Sequence, residues 1–498
     1  MKTAVSPTRS ENFPEWFQEV LCLADLAEHA PVRGCMIVKP NGYALWENIQ
    51  SILDKKFKSL GVQNAYFPLF IPLSFLEKEA EHVEGFAKEC AVVTHTRLEE
   101  GSDGKLVPAS PLEEPLIVRP TSETIIGASF AKWIESYRDL PLKINQWCNV
   151  VRWEMRPRLF LRTSEFLWQE GHTAHASATE ALAMAHEMLE VYADFAENML
   201  AIPVIKGEKS EGERFPGAVN TFTFEAMMQD GKALQMGTSH YMGTNFAKSS
   251  KIQFLNEEGN LEYAHTTSWG VTTRMIGAVV MTHSDDNGLV LPPRIASKHI
   301  VIVPFTMKEE TKAQVLSYCH QLAAELNEGM YFKEPIKAIV DERNLRAGEK
   351  SWDAIKKGYP IRIEIGARDI KANKLPVFLR TKEKKESKIL SKEEVLTQIT
   401  ALLDEVHETI YHRALDYRKA NTVSIGSLTD FEEIFSQNSL SNRFVLAPFG
   451  GNKALETKIQ KDYGVTIRCI PHEQPSASSN CLFTKSEKAK QAIFAKSY

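Results

Sequence analysis

The sequence predicts an α+β protein built from an antiparallel α+β unit, a parallel α/β unit and a small third unit. Three observations carry that reading. Long amphipathic segments alternate with short apolar runs and one hairpin over about the first 295 residues, the pattern of an antiparallel α+β domain. From residue 297 the order becomes strand, helix, strand, helix, strand, which requires parallel crossovers. The stretch after 405 follows a lysine–glutamate run and reads as a further unit. The expected divisions are therefore 1–296, 297–405 and 406–498. A chain of 498 residues has room for them at roughly 100–200 residues per domain.

Each element has a local reason. In "YALWENIQSILDKKFKSL" (43–60), Leu45, Ile49, Ile52, Leu53 and Phe57 recur at helical spacing, and Gly61 follows as a C-terminal cap. "NAYFPLFIP" reads as a strand closed by proline. "TSETIIGASFAKWIESY" reads as a helix opened by Pro120-Thr121-Ser122, and 179–200 as another helix. "NTFTFEAMMQDGKALQMGTSHY" alternates apolar and polar residues around Asp230-Gly231, a hairpin signal that predicts a type I′ turn. Then come the strand "HIVIVPF", the helix "EETKAQVLSYCHQLAAEL", the strand "IKAIVD", the helix "GEKSWDAIKKG" and the strand "IRIEIG". "RTKEKKESKILSKEE" reads as a solvated turn into a helix at 392–418.

Composition excludes several classes. Lys and Arg number 59 against 64 Asp and Glu, a formal charge of −5, so any nucleic-acid surface is a local patch. The seven cysteines form no CxxC pair, which argues for reduced thiols in a cytoplasmic protein. "MKTAVSPTRSENFPEWF" lacks the apolar core of a secretory signal. No apolar run approaches the ~20 residues a membrane span needs.

Against that acidic background "VRWEMRPRLFLRTSEFLWQEGHTAHAS" (151–177) concentrates Arg152, Arg156, Arg158 and Arg162, then Phe166, Trp168, Glu170 and His172. A guanidinium is a planar fork that grips phosphate or carboxylate with two hydrogen bonds. A strand-loop-strand would aim Arg152 and Arg162 inward from its two ends. Glu154, two residues after Arg152, would share its face on a strand. An exposed basic hairpin with ordinary ion pairs fits the same residues. A second site appears in "SWGVTTRMIGAVVMTHSDDNGLVLPPRIA" (268–296), where Arg274 sits in an apolar helix-forming run. Burying an unpaired guanidinium costs several kcal/mol, so Arg274 must meet an anion or reach solvent.

Together these stretches resemble motifs 2 and 3 of the class II aminoacyl-tRNA synthetases, and "RGCMIVKPNGYALWENIQ" resembles motif 1. The fuller resemblance is to the prolyl-tRNA synthetase family of archaeal/eukaryotic-like type. It rests on "RPTSET" (119–124), "RWE" (152–154), "FLRTSEFLWQEGHTAH" (160–175), "ALQMGTSH" (233–240) and "SWGVTTRMIG" (268–277). "DERNLRAGEKSWDAIKKGYPIRIEIGARD" (341–369) resembles the anticodon-binding domain, so the likeness spans nearly the whole chain.

The resemblance implies an antiparallel-sheet catalytic domain that joins L-proline to tRNA(Pro) through prolyl-adenylate, using ATP with Mg²⁺. Arg152 and Arg274 carry the catalytic charge. Arg152, Glu154, Arg162, Thr163, Gln235, Thr238, Thr272 and Arg274 hold the nucleotide, with Glu154 at adenine and Arg274 at the γ-phosphate. Thr121, Glu123, Arg152, Trp168, Glu170, His172, Phe215 and His240 form the proline pocket. Chemically, Glu123 or Glu170 can hold the secondary ammonium, and Trp168 and Phe215 can sandwich the ring. Trp168 also fits a core position, His172 a structural histidine and Glu123 a helix N-terminus. The resemblance further implies a cytoplasmic homodimer without a membrane segment, with Arg343, Lys350 and Glu364 as candidate anticodon contacts. Tyr498 stands where the family's closing tyrosine would dock near the catalytic domain.

Two departures shape the expectations. Roughly a hundred residues separate motifs 2 and 3, too few for the inserted editing domain of bacterial-type relatives, so no cis editing is expected. Gly450 and Leu455 replace the family's first zinc-binding cysteine pair, and Cys481 alone remains of the second. One thiolate cannot build a tetrahedral site, so no structural zinc is expected. Two other readings stay open on sequence: a threonine or serine enzyme of the same fold, and a non-catalytic RNA-binding paralogue. "TSHYMG" and Trp168 argue against the first; the retention of Arg152, Arg162 and Arg274 argues against the second.

Overall fold

The computed structural model describes residues 4–77, 89–306, 309–383, 385–436, 442–474, 480–486 and 489–498. The helix Pro40–Ser59 begins with proline in its first turn, where the missing N–H costs nothing. It ends as Gly61 takes a left-handed φ of 77°. Its buried face, Leu45, Trp46, Ile49, Leu53 and Phe57, packs into the largest apolar core. There Phe57 meets Trp147, Tyr192 and Trp269.

The backbone of the molecule is an 11-stranded sheet. Its N-terminal part runs Val204–Glu208, Asn220–Met227, Ala233–Gly243, His265–Thr272, Glu165–His175, Leu142–Val151 and Gln63–Asn64. All its pairs are antiparallel except the last. The helix Ala178–Asn198 covers one face with Met184, Met188, Tyr192 and Phe195. It opens on a capping box between Ser177 and Glu180. A second sheet of 5 strands follows, with Ile300–Phe305 parallel to Ala338–Val340 and Ile361–Gly366, as the crossover pattern predicts. The C-terminal strands Thr422–Ser424, Phe444–Phe449, Lys490–Ala495 and Thr466–Pro471 complete the large sheet. They join it at the register pairs Gly207↔Pro471 and Glu208↔Ile470.

Two local expectations give way to tertiary contacts. The "NAYFPLFIP" stretch is two short strands, Gln63–Asn64 and Phe70–Pro72, rather than one. Between them the Phe67 amide donates to Gln146 Oε1 (2.5 Å) and the Phe67 carbonyl accepts from buried Arg119 (2.8 Å). In the hairpin loop Gly231 takes a left-handed φ and Asp230 does not, so the turn is not type I′. A Cβ at Gly231 would stand 2.0 Å from the Asn442 carbonyl oxygen, so the C-terminal strands crowd that loop. The helix expected over 392–418 is present. It runs unbroken over Lys392–Ala420, so residue 405 lies in mid-helix.

Gly171 faces Trp269 across the strand pair, and a Cβ there would come within 2.1 Å of the indole ring. Trp269 is fully buried and cannot retreat. Gly171→Ala is expected to cost about 1–3 kcal/mol as overpacking. Chemical denaturation should show a lower midpoint at unchanged slope.

Candidate active site

The strand Glu165–His175 lies between Leu142–Val151 and His265–Thr272, with Trp168 paired to Cys148 on one side and Thr272 on the other. This register brings the end of one neighbour and the end of the other to the same edge. Arg152 leaves the first neighbour and Arg274 opens the helix after the second. The connecting loop closes through Arg152 N–H to the Ser164 carbonyl (2.8 Å) and Arg158 N–H to the Arg162 carbonyl (2.6 Å). Arg152 Nε donates to the Pro120 carbonyl (2.8 Å), and its guanidinium stands 5.6 Å and 5.5 Å from the Phe166 and Trp168 ring centres. The expected shared strand face of Arg152 and Glu154 does not form, because the strand ends at Val151. Glu154 sits in the loop instead, accepts from the Arg156 amide (2.9 Å) and lies 3.9 Å from Arg162.

Arg274 is not a surface arginine. Its Nε and Nη2 donate to the Leu161 carbonyl (3.2 and 3.0 Å) and Nη1 to the Gln235 carbonyl (3.4 Å). Burial pulls its pKa down to about 10, with Arg162 and Arg468 adding to the effect and Glu225 opposing it. Carbonyls orient the guanidinium without neutralising its charge, so the group is suited to an anionic ligand.

The other end of the edge is built by the helix Glu123–Trp133 and the Ala233–Gly243 strand. Thr121 donates to Glu123, and Ser122 donates to Glu170. Glu170 also accepts from Gln146 Nε2 (2.9 Å) and pairs with His172 Nε2 (3.1 Å). Trp168 Nε1 donates to Cys148 Sγ (3.2 Å). The Phe215 ring packs 4.5 Å from the His240 imidazole, whose nitrogens contact the Thr221 and Thr238 hydroxyls at 3.0 Å each.

The residues expected at the nucleotide and the proline line one cavity of about 430 Å³, while Arg156 and Arg158 of the same basic stretch stand outside it. Thr121, Glu123, Trp168, Glu170, His172, Phe215 and His240 share it with Arg152, Glu154, Arg162, Thr163, Gln235, Thr238, Thr272 and Arg274. Known families match the chain in three successive stretches. Residues 106–283 match the tRNA synthetase class II core domain (G, H, P, S and T), 299–402 the anticodon binding domain, and 431–498 the prolyl-tRNA synthetase C-terminal domain. The proline–tRNA ligase of Protochlamydia amoebophila is 57% identical, covering 100% of this chain and 99% of its own. Proline–tRNA ligase 2 of Anaeromyxobacter dehalogenans and the proline–tRNA ligase of Rhodopirellula baltica are each 54% identical, covering 100% of this chain and 99% and 98% of theirs. The chain belongs to the proline–tRNA ligase family.

In this ligase the cavity also has walls that the sequence reading missed. Lys209, Glu213 and Thr221 line it, beside Phe166, which the basic stretch had already brought to notice without a role. A signal for Thr221 was present: in "NTFTFEAM" Thr221, Thr223 and Glu225 alternate with Phe222, Phe224 and Ala226, a polar face on a strand. Of the candidate anticodon contacts, Arg343 is paired with Asp341 (2.6 Å) and Asp353 (2.7 Å), and Glu364 with Arg362 (2.9 Å). Lys350 is buried and donates to the Asp341 carbonyl (2.8 Å). Tyr498 docks on the catalytic unit: its hydroxyl donates to Asp230 (2.7 Å), and its main-chain oxygen accepts from Arg162 (3.3 Å).

Burial opposes charge on both Glu170 and His172, yet their mutual attraction wins. The Glu170 pKa is held below its ordinary value by His172, Ser122 and Gln146, and that of His172 above it by Glu170 and Glu123. The His172 contribution to stability is full below pH 6.5 and fades as pH rises through the folded value. That of Glu170 is full above 4.5 and fades on acidification through its folded value. His240 is different: burial, and then the His172 charge, push its pKa down to about 3, so it stays neutral. In Glu170→Gln, burial acts on His172 without its nearest anion. An NMR titration of the histidine ring carbons should find His172 titrating above pH 6.5 in the parent and below it in the variant.

Proposed function

We propose that this cavity activates L-proline with ATP and passes it to tRNA(Pro) in two steps, the arginine end holding the triphosphate and the histidine end the amino acid. The observation that carries the reading is the convergence of Arg152 and Arg274, distant in the chain, on a cavity whose other end is aromatic and acidic. In the first step a prolyl carboxylate oxygen attacks the α-phosphorus. The bond to the β-bridging oxygen breaks and pyrophosphate leaves. In the second, a terminal ribose hydroxyl of the tRNA attacks the acyl carbon, and AMP leaves. Neither step needs a protein nucleophile; both rest on positioning and charge stabilisation.

The residues divide the work by chemistry. Arg152, beside Trp168 and within the field of Glu123, bridges the prolyl carboxylate and the α-phosphate. Arg274 takes the γ-phosphate, Glu154 the adenine amino group, and Arg162, Thr163, Gln235, Thr238 and Thr272 the rest of the nucleotide. Both oxygens of Glu170 already accept hydrogen bonds, so Glu123 receives the secondary ammonium. Trp168 and Phe215 flank the ring, and neutral His240 adds no repulsion beside the ammonium. Mg²⁺ takes oxygen donors, which cavity-lining carboxylates such as Glu154 and Glu213 would offer. When bound it neutralises triphosphate charge.

The reading extends to the three units 1–296, 297–405 and 406–498, a cytoplasmic homodimer and the absence of structural zinc. Exposed Val32, Ile37 and Tyr43 beside motif 1 support the dimer; a monomer mass in sedimentation contradicts it. The apolar setting of Cys469 supports a zinc-free unit; one zinc per chain contradicts that. Among the described residues no helix is long and apolar enough to cross a membrane.

Two kinetic outcomes follow. Arg152→Ala should slow proline-dependent ATP–pyrophosphate exchange by ~2–4 kcal/mol in the transition state, roughly 30- to 1000-fold. A near-normal rate removes Arg152 from the mechanism. Alanyl-tRNA(Pro) supplied to the enzyme should persist at its uncatalysed rate, because no editing unit acts in cis; rapid deacylation contradicts this.

A further inference from the structure

Glu225 is fully buried on the polar face of the Asn220–Met227 strand, next to the cavity wall. Its Oε2 accepts from Arg468 Nε (3.1 Å) and Nη2 (3.0 Å). Its Oε1 accepts from Lys209 Nζ (2.8 Å) and Thr223 Oγ1 (2.9 Å). Lys209 also donates to the Arg468 carbonyl (2.8 Å) and lines the cavity. Two of these residues belong to the catalytic sheet, but Arg468 comes from the C-terminal strand Thr466–Pro471. That strand reaches the sheet only because residue 207 is glycine: a Cβ there would lie 2.4 Å from the Ile470 carbonyl oxygen.

The cluster sits one strand from the nucleotide end. Glu225 is the cross-strand partner of Gln235, at a bulge, and the Gln235 carbonyl accepts from Arg274. Lys209 and Arg468 share Glu225 beneath the place proposed for the triphosphate, with Glu213 a second carboxylate within their field. We infer that Arg468 is a positioning residue for ATP: by holding Glu225 it leaves the Lys209 and Arg274 charges available to the phosphates. The C-terminal unit thereby completes the nucleotide site of the catalytic unit. The charge balance agrees: against burial, the attraction of Arg468 and then of Lys209 holds the Glu225 carboxyl below its ordinary pKa. Without Arg468 the buried carboxylate would be left to Lys209 alone and would cancel it.

This inference rests on the proposed placement of ATP, and full-chain ATP–pyrophosphate exchange without tRNA separates the two. Loss of proline-dependent exchange in the parent chain would sink the placement itself. With the parent active, Arg468→Met should raise the KM for ATP about tenfold or more and move that for proline less than twofold. The double variant Arg468→Met/Glu225→Gln, in which Lys209 regains its charge, should bring the ATP KM back to within about threefold of the parent. An unchanged ATP KM in folded Arg468→Met, equal rises for both substrates, or no recovery in the double variant overturns the inference. Should Arg468→Met not fold, Arg468→Lys decides: it keeps the charge but loses the two-pronged grip, and should raise the ATP KM alone. An ATP KM at the parent value there overturns it as well.

Discussion

Everything in the site depends on the register of one central strand. Glu165–His175 is held on both edges, and its pairing fixes which residues of Leu142–Val151 and His265–Thr272 end beside each other. A slip of one residue would turn Trp168, Glu170 and His172 to the opposite face and send Gln169 and Gly171 to the cavity. Trp269 resists that slip, because its ring occupies the space over Gly171 and packs against Phe57 and Tyr192. The core thus specifies the geometry of charges that are themselves costly to bury.

Those charges are handled in two ways. Anions that could spoil a phosphate site are saturated: Glu170 by Ser122, Gln146 and His172, and Glu225 by Arg468, Lys209 and Thr223. Arg274, by contrast, is solvated by backbone carbonyls rather than by a carboxylate. Carbonyl dipoles orient a guanidinium without neutralising it. A triphosphate placed as proposed would meet an oriented positive field with little reorganisation to perform.

Much of this was legible in the residues. Arginine in an apolar helix-forming run, and arginines flanking a loop before aromatic and acidic residues, point to anions whatever the fold. Helix limits followed from periodicity, from Gly61 and from the opening Pro120-Thr121-Ser122, and the helix expected at 179–200 runs Ala178–Asn198. What escaped was decided at long range. The stretch at 65–69 is shaped by Gln146 and Arg119, and the 228–232 loop by Asn442 and Tyr498. Arg468 was invisible because its meaning depends on two register pairs between strands far apart in the chain. Lys350 looked like a surface cation because nothing local reveals that its ammonium turns inward to the Asp341 carbonyl.

The central claim is spatial: arginines from separate segments converge on one triphosphate beside a proline pocket. The structure of the protein bound to proline and α,β-methylene-ATP tests it most directly. The account predicts the α-phosphate and the prolyl carboxylate within hydrogen-bond reach of Arg152, the γ-phosphate against Arg274, and the prolyl nitrogen on Glu123. A nucleotide bound with either arginine turned away from its phosphates would contradict it.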